Sequence, residues 1–467
     1  MVKQDTVSQI FDQQGKNVLS VGNTNWKERV KKLKALEKSI LKYKEEICEA
    51  LNKDLRKSVP EAELSEIFVL LSELKYVKRR LRYWMRDEPV GAPLYLLGTK
   101  STIRHESKGR VLIISPWNYP FLLAMSPLIS AIAGGNTVVI KPSEISVNTS
   151  LVIDKVIRDA FRPDEVQVVL GGVEEATHLL SMPFNHIFFT GSTTVGKEIM
   201  KAAAKNLTSV TLELGGKSPA VVSKHSNLKK AVERICFSKF FNNGQICIAP
   251  DYVLVEEEIR EAFLELMKEQ IHQLFGKAEE SPVYTRIISD RHFDRVKNLL
   301  DKSLEQGAEL ICGGEANRED RFLSPTVVYS GEMDIELMTE EIFGPVLPVF
   351  SIENIDSAIN YINANNKPLA TYIFSKNKKE VNHFIKYTRS GGTAVNNGLI
   401  QIVNTELPFG GSNHSGIGKS KGHWGFMEFT NQRAVIKDGA SLSIFDLVTY
   451  PFTPLRTQII RLLTRWF

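Results

Sequence analysis

The sequence has few cysteines and no pair of them with a recognisable spacing. Of its 467 residues four are cysteine, and none forms a C-x-x-C pair with another, so zinc and dithiol-redox sites lack their usual pattern. The nine histidines likewise lack metal-ligand spacing to a cysteine or to each other. We therefore expect no metal site, and sparse unpaired cysteines favour a reducing compartment.

The sequence also shows no pattern typical of a secretory signal or a membrane-spanning helix, and we expect neither. No uninterrupted apolar run approaches the roughly 20 residues of a spanning helix, and the polar residues 1–6 contain no apolar signal region. We expect a cytoplasmic protein. The formal net charge of +5 is mild for this length and favours no anionic partner by itself, and we expect no nucleic-acid partner.

The length and the order of apolar runs predict two or three domains of α/β type. Hydrophobic residues make up 43% of the chain, enough for sizeable cores. Strand-length apolar runs at 110–114, 137–140, 166–170 and 186–189 alternate with helix-length segments, which predicts βαβ units and a parallel sheet buried on both faces. The same rhythm resumes after Glu213, and residues 26–53 predict one amphipathic helix.

One cysteine lies in a setting that suits a nucleophile. Cys247 ends the segment at 240–247 (FFNNGQIC), where a glycine-containing turn follows an apolar run. A turn lets backbone N–H groups and solvent reach a sulfur atom. A lone cysteine without such a setting is more often a small buried apolar residue; we interpret Cys236 as a core residue and Cys48 and Cys312 as structural.

A glycine turn between a strand and a helix predicts a phosphate-binding site. Gly191, Ser192 and Gly196 follow the apolar run at 186–189, and backbone N–H groups at a helix N-terminus suit a pyrophosphate. The segment nearly matches a P-loop, but Glu198 replaces the hydroxyl that would bind magnesium. A nucleotide triphosphatase is therefore disfavoured.

Lys141 and Glu144 follow the apolar run at 137–140. In an open parallel sheet, ligands bind beyond the carboxyl ends of the strands, so both residues are placed to contact an adenosine ribose. A carboxylate accepts from a ribose 2′-hydroxyl but repels a 2′-phosphate. This favours NAD, with NADP as the alternative because Lys141 offsets the repulsion.

Four further segments, taken with the cysteine turn, carry a family resemblance. They are residues 115–120 (SPWNYP), 211–219 (TLELGGKSP), 340–346 (EEIFGPV) and 407–416 (LPFGGSNHSG). Together and in this order they resemble the aldehyde dehydrogenase superfamily, over roughly residues 20–440, and the last segment with the short N-terminal lead resembles its class 3 or fatty-aldehyde branch.

The resemblance implies a fold and a domain division. The implied fold is α/β, with a Rossmann-like NAD-binding domain at 1–85 and 108–212 and a catalytic thiol domain at 213–405. A bridging element at 86–107 and 406–440 would exchange strands in a homodimer. The tail at 441–467 would lie outside this core.

The resemblance also implies oxidation of an aldehyde to a carboxylic acid and a role for each residue. Cys247 would add to the aldehyde carbon, Asn118 and the Cys247 N–H would stabilise the oxyanion, and Glu213 would activate water to hydrolyse the thioester. The implied cofactor-binding residues are Trp117, Lys141, Glu144, Gly191, Ser192, Gly196, Glu341 and Phe343. Medium- to long-chain aliphatic or aromatic aldehydes are the implied substrates.

Two other functions remain open from the sequence. A CoA-acylating dehydrogenase would use CoA in place of water, and the presence of Glu213 disfavours it. A cysteine hydrolase would need a histidine beside Cys247, and no motif marks one; residues 216–220 approach a nucleophile elbow but lack its final glycine.

The tail has an amphipathic pattern with an arginine-bearing face. Apolar residues recur from Leu455 to Phe467, and Arg456, Arg461 and Arg465 interrupt them. This pattern suits a lid over an apolar substrate, a helix lying weakly on a lipid surface, or a segment packed on a partner subunit.

Overall fold

The computed structural model of the chain describes residues 4–93, 96, 98–439 and 448–466. The helices are α1 Gln4–Gly22, α2 Trp26–Lys42, α3 Lys44–Leu55, α4 Val59–Ala62, α5 Val69–Trp84, α6 Pro120–Gly134, α7 Val147–Ala160, α8 Val173–Ser181, α9 Thr193–Ala204, α10 Leu228–Phe240, α11 Arg260–Phe275, α12 Asp290–Glu305, α13 Ile355–Ala364, α14 Lys378–Tyr387, α15 Gly422–Glu428 and α16 Pro454–Trp466. Among these described helices, none is both long and apolar enough to cross a bilayer.

The strands form three larger sheets and one short hairpin. They are β1 Glu88–Val90, β2 Thr99–Ser107, β3 Arg110–Ile114, β4 Thr137–Lys141, β5 Val166–Val168, β6 His186–Gly191, β7 Ser209–Leu214, β8 Pro219–Val222, β9 Tyr252–Glu256, β10 Glu309–Cys312, β11 Ala316–Asn317, β12 Phe322–Leu323, β13 Thr326–Tyr329, β14 Val346–Ile352, β15 Ala370–Phe374, β16 Gly392–Val395, β17 Gly416–Ile417 and β18 Thr430–Asp438. The hairpin consists of β11 and β12.

The first large sheet has the order β17-β7-β6-β3-β4-β5 and is parallel except for β17. Successive residues of β3 enter opposite cores: Val111 packs with α6 and α7, and Leu112 packs with α1, α8 and α9. A strand buried on both faces needs an uninterrupted apolar run. The predicted parallel sheet and α/β class are confirmed.

The second large sheet has the order β10-β13-β14-β9-β8-β15-β16, with β10 antiparallel to its neighbour. Here again neighbouring residues alternate, with Val253 facing the core of α10 and α11 and Leu254 facing the core of α12 and α13. Glu213 lies on β7 of the first sheet, and the second sheet begins five residues beyond β7, at Pro219.

The third sheet is antiparallel, with the order β1-β2-β18. Its strands come from the two segments, 86–107 and 406–440, for which the resemblance implies a bridging element. Most of its described side chains are exposed or half-buried. The short β17 and the helix α15 also belong to 406–440, and they pack on β7 and on α5 and α6.

The expectation of one helix over residues 26–53 is wrong. α2 ends at Lys42 and α3 begins at Lys44, because Tyr43 between them leaves the helical conformation with φ −102° and ψ 15°. α2 packs on α5, α6 and α7, whereas α3 packs on α7 and α4. The apolar spacing continues through the break because both helices face the same core, so periodicity alone does not reveal it.

The parallel topology places the candidate residues near one edge of the first sheet. β3, β4, β6 and β7 run in the same direction, so the segments that follow them leave at their shared carboxyl ends. Ligands of open α/β sheets bind at this edge. Asn118, Lys141, Ser192 and Glu213 all lie at or just beyond these strand ends.

Candidate active site

Cys247 follows a tight turn in which two asparagines adopt a left-handed backbone conformation. A short 3-10 turn at Phe241–Gly244 succeeds α10, and within it Asn242 and Asn243 have φ of 51° and 57°. Asparagine enters this left-handed region more readily than most residues. The Nδ2 of Asn243 donates to the Thr285 carbonyl at 2.8 Å, which anchors the turn from inside.

Gln245 joins the cysteine loop to a neighbouring segment. Its Nε2 donates to the Arg286 carbonyl at 3.0 Å, and its Oε1 accepts from the Ile288 N–H at 3.0 Å. The Gln245 side chain is fully buried. These bonds explain why a polar residue precedes Cys247 in an apolar setting: it holds the loop in a single position.

Two cavities of different character meet at the thiol. One, of about 230 Å³, has mostly apolar walls that include Leu64, Phe68, Val69, Leu122, Phe237 and Phe241. The other, of about 400 Å³, has polar walls that include Trp117, Ser192, Arg295, Glu341 and Phe343. Five residues line both cavities: Asn118, Leu123, Thr190, Glu213 and Cys247. The structure thus brings the three predicted catalytic residues to one boundary.

The environment of Cys247 favours the neutral thiol. Burial raises the pKa of the thiol well above its usual range, and the nearby Glu341 and Glu213 carboxylates raise it further. The backbone N–H groups of Cys247 and Ile248 lower it. The thiol is therefore protonated at neutral pH in this state, and it must lose its proton before it can act as a nucleophile.

Asn118 lies in the loop after β3 and is held from both sides. Its Nδ2 donates to the Gln245 carbonyl at 2.9 Å, and its own carbonyl accepts from Asn242 Nδ2 at 3.0 Å. An amide nitrogen carries two hydrogens, so one donor remains beyond the bond to Gln245. Asn118 is buried and lines both cavities, which suits an oxyanion donor.

Glu213 is buried at the end of β7 with one oxygen bound. Its Oε1 accepts from Ser420 Oγ at 2.8 Å, whereas its Oε2 has no hydrogen-bond partner in the described part of the chain. Burial raises the pKa of Glu213 to about 8, although the Ser420 hydroxyl and the Lys419 and Lys421 ammonium groups lower it. A base with a pKa near the working pH suits general-base catalysis.

The polar cavity contains five of the predicted cofactor residues: Trp117, Gly191, Ser192, Glu341 and Phe343. The Trp117 ring meets the Phe343 ring edge-on at 5.4 Å. Ser192 caps α9, its Oγ accepting from the Val195 N–H at 3.4 Å, so the N–H groups of the first turn of α9 border this cavity. The arrangement suits a dinucleotide with its phosphates at the helix N-terminus.

Glu341 is pressed against the strand-end loop that follows Glu213. A Cβ atom on Gly215 would lie 2.0 Å from a Glu341 carboxylate oxygen, so a larger residue there would have to displace the carboxylate end of the Glu341 side chain. Burial raises the pKa of Glu341 to about 8, and Asp251 adds to this, while the Gly216 N–H, Lys217 and Arg295 oppose it. A carboxyl group in this position can hydrogen-bond a ribose hydroxyl.

Three predicted cofactor residues lie outside the lining of this cavity. Gly196 is in α9, where a Cβ would meet Leu214 Cδ2 at 2.8 Å, so it lets the helix pack closely on β7. Lys141 and Glu144 lie beyond β4 and pair with each other, Lys141 Nζ donating to Glu144 Oε2 at 2.7 Å. Lys141 is buried and Glu144 is exposed.

Sequence reasoning missed several residues of the site. His292 and Arg295 of α12 line the polar cavity, and Arg295 donates to the carbonyls of Glu341 and Ile342 at 3.1 and 2.7 Å. Their i, i+3 spacing places them on one helix face, but no motif marks it. Ser420 and Lys421, which line the apolar cavity, follow a glycine-rich stretch whose conformation the sequence does not reveal.

Within the described ranges, no cluster of three or more His, Cys, Asp or Glu side chains has a metal-binding arrangement. The predicted core cysteine Cys236 lies in α10 with no exposed surface. Its sulfur is 3.6 Å from the Met267 sulfur.

Along most of its length this chain is similar to known proteins of one family. The sequence pattern of the aldehyde dehydrogenase family matches residues 2–435. The 4,4′-diaponeurosporen-aldehyde dehydrogenase of Staphylococcus aureus is 41% identical over 409 residues, covering 87% of this chain and 88% of that protein. Aldehyde dehydrogenase family 3 member A2 of Macaca fascicularis is 40% identical over 424 residues, covering 91% of this chain and 86% of that protein.

Solved structures agree with the fold. The substrate-bound state of Staphylococcus aureus AldH has a TM-score of 0.94 and 37% identity, covering 98% of this chain and 99% of that one. An NAD-dependent aldehyde dehydrogenase from Sinorhizobium meliloti has a TM-score of 0.87 and 29% identity, covering 94% of this chain and 88% of that one.

Proposed function

The chain belongs to the aldehyde dehydrogenase family, and we propose that Cys247, Glu213 and Asn118 carry its reaction. It oxidises aldehydes to carboxylic acids and depends on NAD or NADP. The observation that supports this choice of residues is their shared boundary: all three line both the apolar and the polar cavity. An aldehyde entering from one side and a nicotinamide from the other would meet at the Cys247 sulfur.

Addition to the aldehyde requires a nucleophile and donors for the oxyanion. The Cys247 thiol, which is partly exposed, first releases its proton to solvent water. The thiolate then attacks the aldehyde carbon, a C–S bond forms, and the electron pair of the C=O bond moves to the oxygen. The free amide hydrogen of Asn118 and the Cys247 backbone N–H are proposed as the two donors. Donors that are fixed before the reaction stabilise the developing charge without reorganisation.

Oxidation requires a hydride acceptor next to the same carbon. NAD or NADP, when bound, supplies this acceptor in its nicotinamide ring. Trp117, Glu341 and Phe343 would hold the riboside end, and Gly191 and Ser192 would place the N-terminus of α9 at the phosphates. The fit rests on the Glu341 carboxyl group in the polar cavity and on the capped helix that borders it.

Hydrolysis then releases the acid. Glu213 takes a proton from water as the water oxygen bonds to the thioester carbon, and the C–S bond breaks to return the thiolate. The buried position of Glu213 on the shared boundary supports water, not CoA, as the acceptor. Analysis of the product as free acid or acyl-CoA separates the two.

The adenosine end is proposed to favour NAD over NADP. Glu144 is exposed and held by Lys141 at 2.7 Å, which leaves a carboxylate oxygen for a ribose 2′-hydroxyl and would repel a 2′-phosphate. The Lys141 ammonium group weakens this repulsion. Gly196 would contribute indirectly, by seating α9 against β7.

The apolar cavity supports medium- to long-chain aliphatic or aromatic aldehydes as substrates. At its mouth, Leu64, Phe68, Phe237 and Val403 are each at least half exposed. Absorbance of reduced cofactor, followed over aldehydes of increasing chain length with each nucleotide, tests both proposals. Efficiency that rises with chain length and is higher with NAD supports them; a preference for short polar aldehydes contradicts the first.

A homodimer through the β1-β2-β18 sheet is proposed. Both edge strands of this sheet lie at the surface, and Val90 and Ile436 expose apolar side chains there. Light scattering on the purified protein tests the stoichiometry. A dimer that persists when a proline replaces Ile436 would place the interface elsewhere, because proline on an edge strand opposes pairing with another strand.

The tail is proposed to cover the mouth of the apolar cavity, with weak lipid contact as the alternative. Helix α16 has apolar and arginine-bearing faces, and none of its described side chains is buried. Residues 441–447, with which the tail begins, lie outside the described residues. The domain division and the cytoplasmic location both stay predictions; the four free cysteines support a reducing compartment.

A further inference from the structure

One charged side chain stands in the apolar cavity beside the reacting groups. Lys421 lines that cavity together with Cys247 and Glu213 and is only 4% exposed. Its buried Nζ has no hydrogen-bond partner among residues 4–93, 96, 98–439 and 448–466. A buried ammonium group without a partner is costly, so a role in the reaction is a physical reason for its presence.

The backbone at Lys421 adds a second, independent observation. Its φ is 73° and its ψ is 140°, a region that residues with a Cβ atom rarely occupy and that glycine adopts freely. Strained conformations persist at functional sites when the surroundings enforce them. The neighbouring Lys419 differs, since its Nζ donates to the Gly410 and Gly411 carbonyls at 2.5 and 3.0 Å.

Glu213 supplies the complementary group on the same wall. Its Oε1 is occupied by Ser420 Oγ, and its Oε2 lacks a hydrogen-bond partner within the described part of the molecule. A water molecule that accepts from Lys421 Nζ and donates to Glu213 Oε2 would satisfy both atoms. Ordered waters typically bridge buried polar groups of this kind.

We propose that Lys421 is a positioning residue for thioester hydrolysis, orienting the attacking water towards Cys247 and favouring the ionised form of Glu213. This rests on the proposed function. In the step, the water oxygen bonds to the thioester carbon, its proton passes to Glu213 Oε2, and the electron pair of the broken C–S bond stays on sulfur. No electrons are exchanged, so no further reactant is needed.

The charges around Glu213 set the expected pH dependence. Lys419 and Lys421 lower the pKa of Glu213, the Ser420 hydroxyl lowers it, and Glu428 raises it. The Cys247 thiol is also close. Removing the Lys421 charge takes away one of the two cations that favour the carboxylate. The base would then become active only at higher pH.

The test compares Lys421→Met, Lys421→Arg and Lys419→Met in the full-length enzyme with saturating NAD. Methionine keeps most of the side-chain length without the charge, arginine restores the charge, and Lys419→Met removes a neighbouring charge that lies outside the cavity lining. The burst of NADH reports acylation. The amount of acyl-enzyme in samples quenched at successive times reports hydrolysis. Both are measured from neutral to alkaline pH.

For Lys421→Met we expect a normal burst and a hydrolysis rate lowered about 10- to 100-fold. This loss is smaller than the rate enhancement of roughly 10²- to 10⁴-fold that a positioned general base contributes as a whole. The pH profile of this variant should move to higher pH. Lys421→Arg should recover most of the rate. Lys419→Met also removes a cation that lowers the pKa of Glu213 and should move the pH profile, but it should lower the hydrolysis rate at high pH less than Lys421→Met.

Three outcomes would overturn the assignment of Lys421. They are an unchanged hydrolysis profile in Lys421→Met, an equal loss in Lys419→Met, and an effect confined to the KM for aldehyde. Circular dichroism and NAD binding check that each variant folds. A wild-type enzyme without any burst and without acyl-enzyme would instead contradict the proposed function.

Discussion

The apolar and polar cavities share five residues and differ in almost everything else. The apolar one is walled by aromatic and aliphatic side chains from the α4–α5 region, α6 and α10, and by the segment at 399–403. The polar one is walled by strand-end loops, the N-terminus of α9, and Arg295 and Glu341. The apolar cavity holds side chains against which burial of a hydrocarbon chain is favourable. The polar cavity holds hydrogen-bond donors and carboxyl groups that suit a charged ligand.

The two cavities are built from different parts of the fold. The polar cavity is built at the carboxyl ends of parallel strands, where a sheet exposes loops and helix N-termini. The apolar cavity is built from helix faces, whose side chains vary in size without disturbing the sheet. The proposed chemistry is confined to the shared boundary, so changes there should stop catalysis, and changes in either wall should alter the use of one ligand only.

Cys247→Ser should have the largest effect, because it removes the proposed nucleophile from the boundary. A hydroxyl group is a far weaker nucleophile than a thiolate, so aldehyde oxidation should be abolished while NAD binding and the fold are retained. Cys312→Ser is the matched control, since Cys312 is a partly exposed thiol outside both of these cavities. Near-normal turnover of purified Cys247→Ser would remove this residue from the mechanism.

Glu213→Gln should come next and should separate two steps at the boundary. The amide cannot take a proton from water, so we expect steady-state turnover to fall by about 10² to 10⁴. A stoichiometric burst of NADH should precede the slow phase. In the wild type, turnover limited by hydrolysis should rise as pH increases through about 8, where Glu213 loses its proton.

The Glu213→Gln burst is the informative part of that experiment. If the burst disappears together with turnover, Glu213 acts before the thioester is formed, and its assignment as the base for hydrolysis is wrong. Glu428→Gln is a control for the local charge, because Glu428 lies near Glu213 but outside the lining of both cavities.

Asn118→Ala should lower the catalytic rate by roughly 10² to 10³, the effect of losing one oxyanion donor. The expected loss falls on the burst as well as on turnover, because the oxyanion forms during addition. The side chain also donates to the Gln245 carbonyl; Asn118→Asp keeps the shape but loses both amide hydrogens, so it too removes this bond and serves as a second test of the donor. An unchanged burst rate in both variants would exclude Asn118 from the site.

Phe68→Ala in the apolar cavity and Glu341→Gln in the polar cavity test whether the two cavities act independently. Phe68→Ala should lower the efficiency for long-chain aldehydes about tenfold more than for short ones, because lost contact with roughly two methylenes costs about 0.8 kcal/mol each. Glu341→Gln should raise the KM for cofactor equally for every aldehyde. A chain-length effect in Glu341→Gln, or a cofactor effect in Phe68→Ala, would show that the walls are not independent.

How far the sequence predicts these features depends on the range of the interactions involved. The runs at 110–114 and 137–140 predict β3 and β4 correctly because burial on both faces demands continuous apolar residues. Cys247, Glu213 and Asn118 converge as expected because each follows a strand or turn with a recognisable motif. These signals are local, and parallel topology brings them together.

Other features depend on long-range packing and leave little trace in the sequence. The break at Tyr43 is hidden because α2 and α3 face one core. The role of Gly196 follows from its contact with Leu214, which only the fold reveals. Lys421 is placed by an unusual backbone conformation at the end of a glycine-rich loop, and the spacing of charges in the sequence does not distinguish it from Lys419.

Deletion of the tail after Ala440 should give the smallest effect, and this effect should concern only the use of the apolar cavity. Arg456, Arg461 and Arg465 interrupt the apolar residues of α16, and Leu455 and Leu462 are more than half exposed. If the helix covers the cavity mouth, its loss should lower the efficiency for long-chain aldehydes by about fourfold for each methylene that it shields. Short aldehydes and the KM for NAD should be unaffected. An equal loss for short and long substrates would assign the tail to stability or subunit packing. Sedimentation of the intact protein with membranes that resists high salt and carbonate would contradict the peripheral character that its arginines predict.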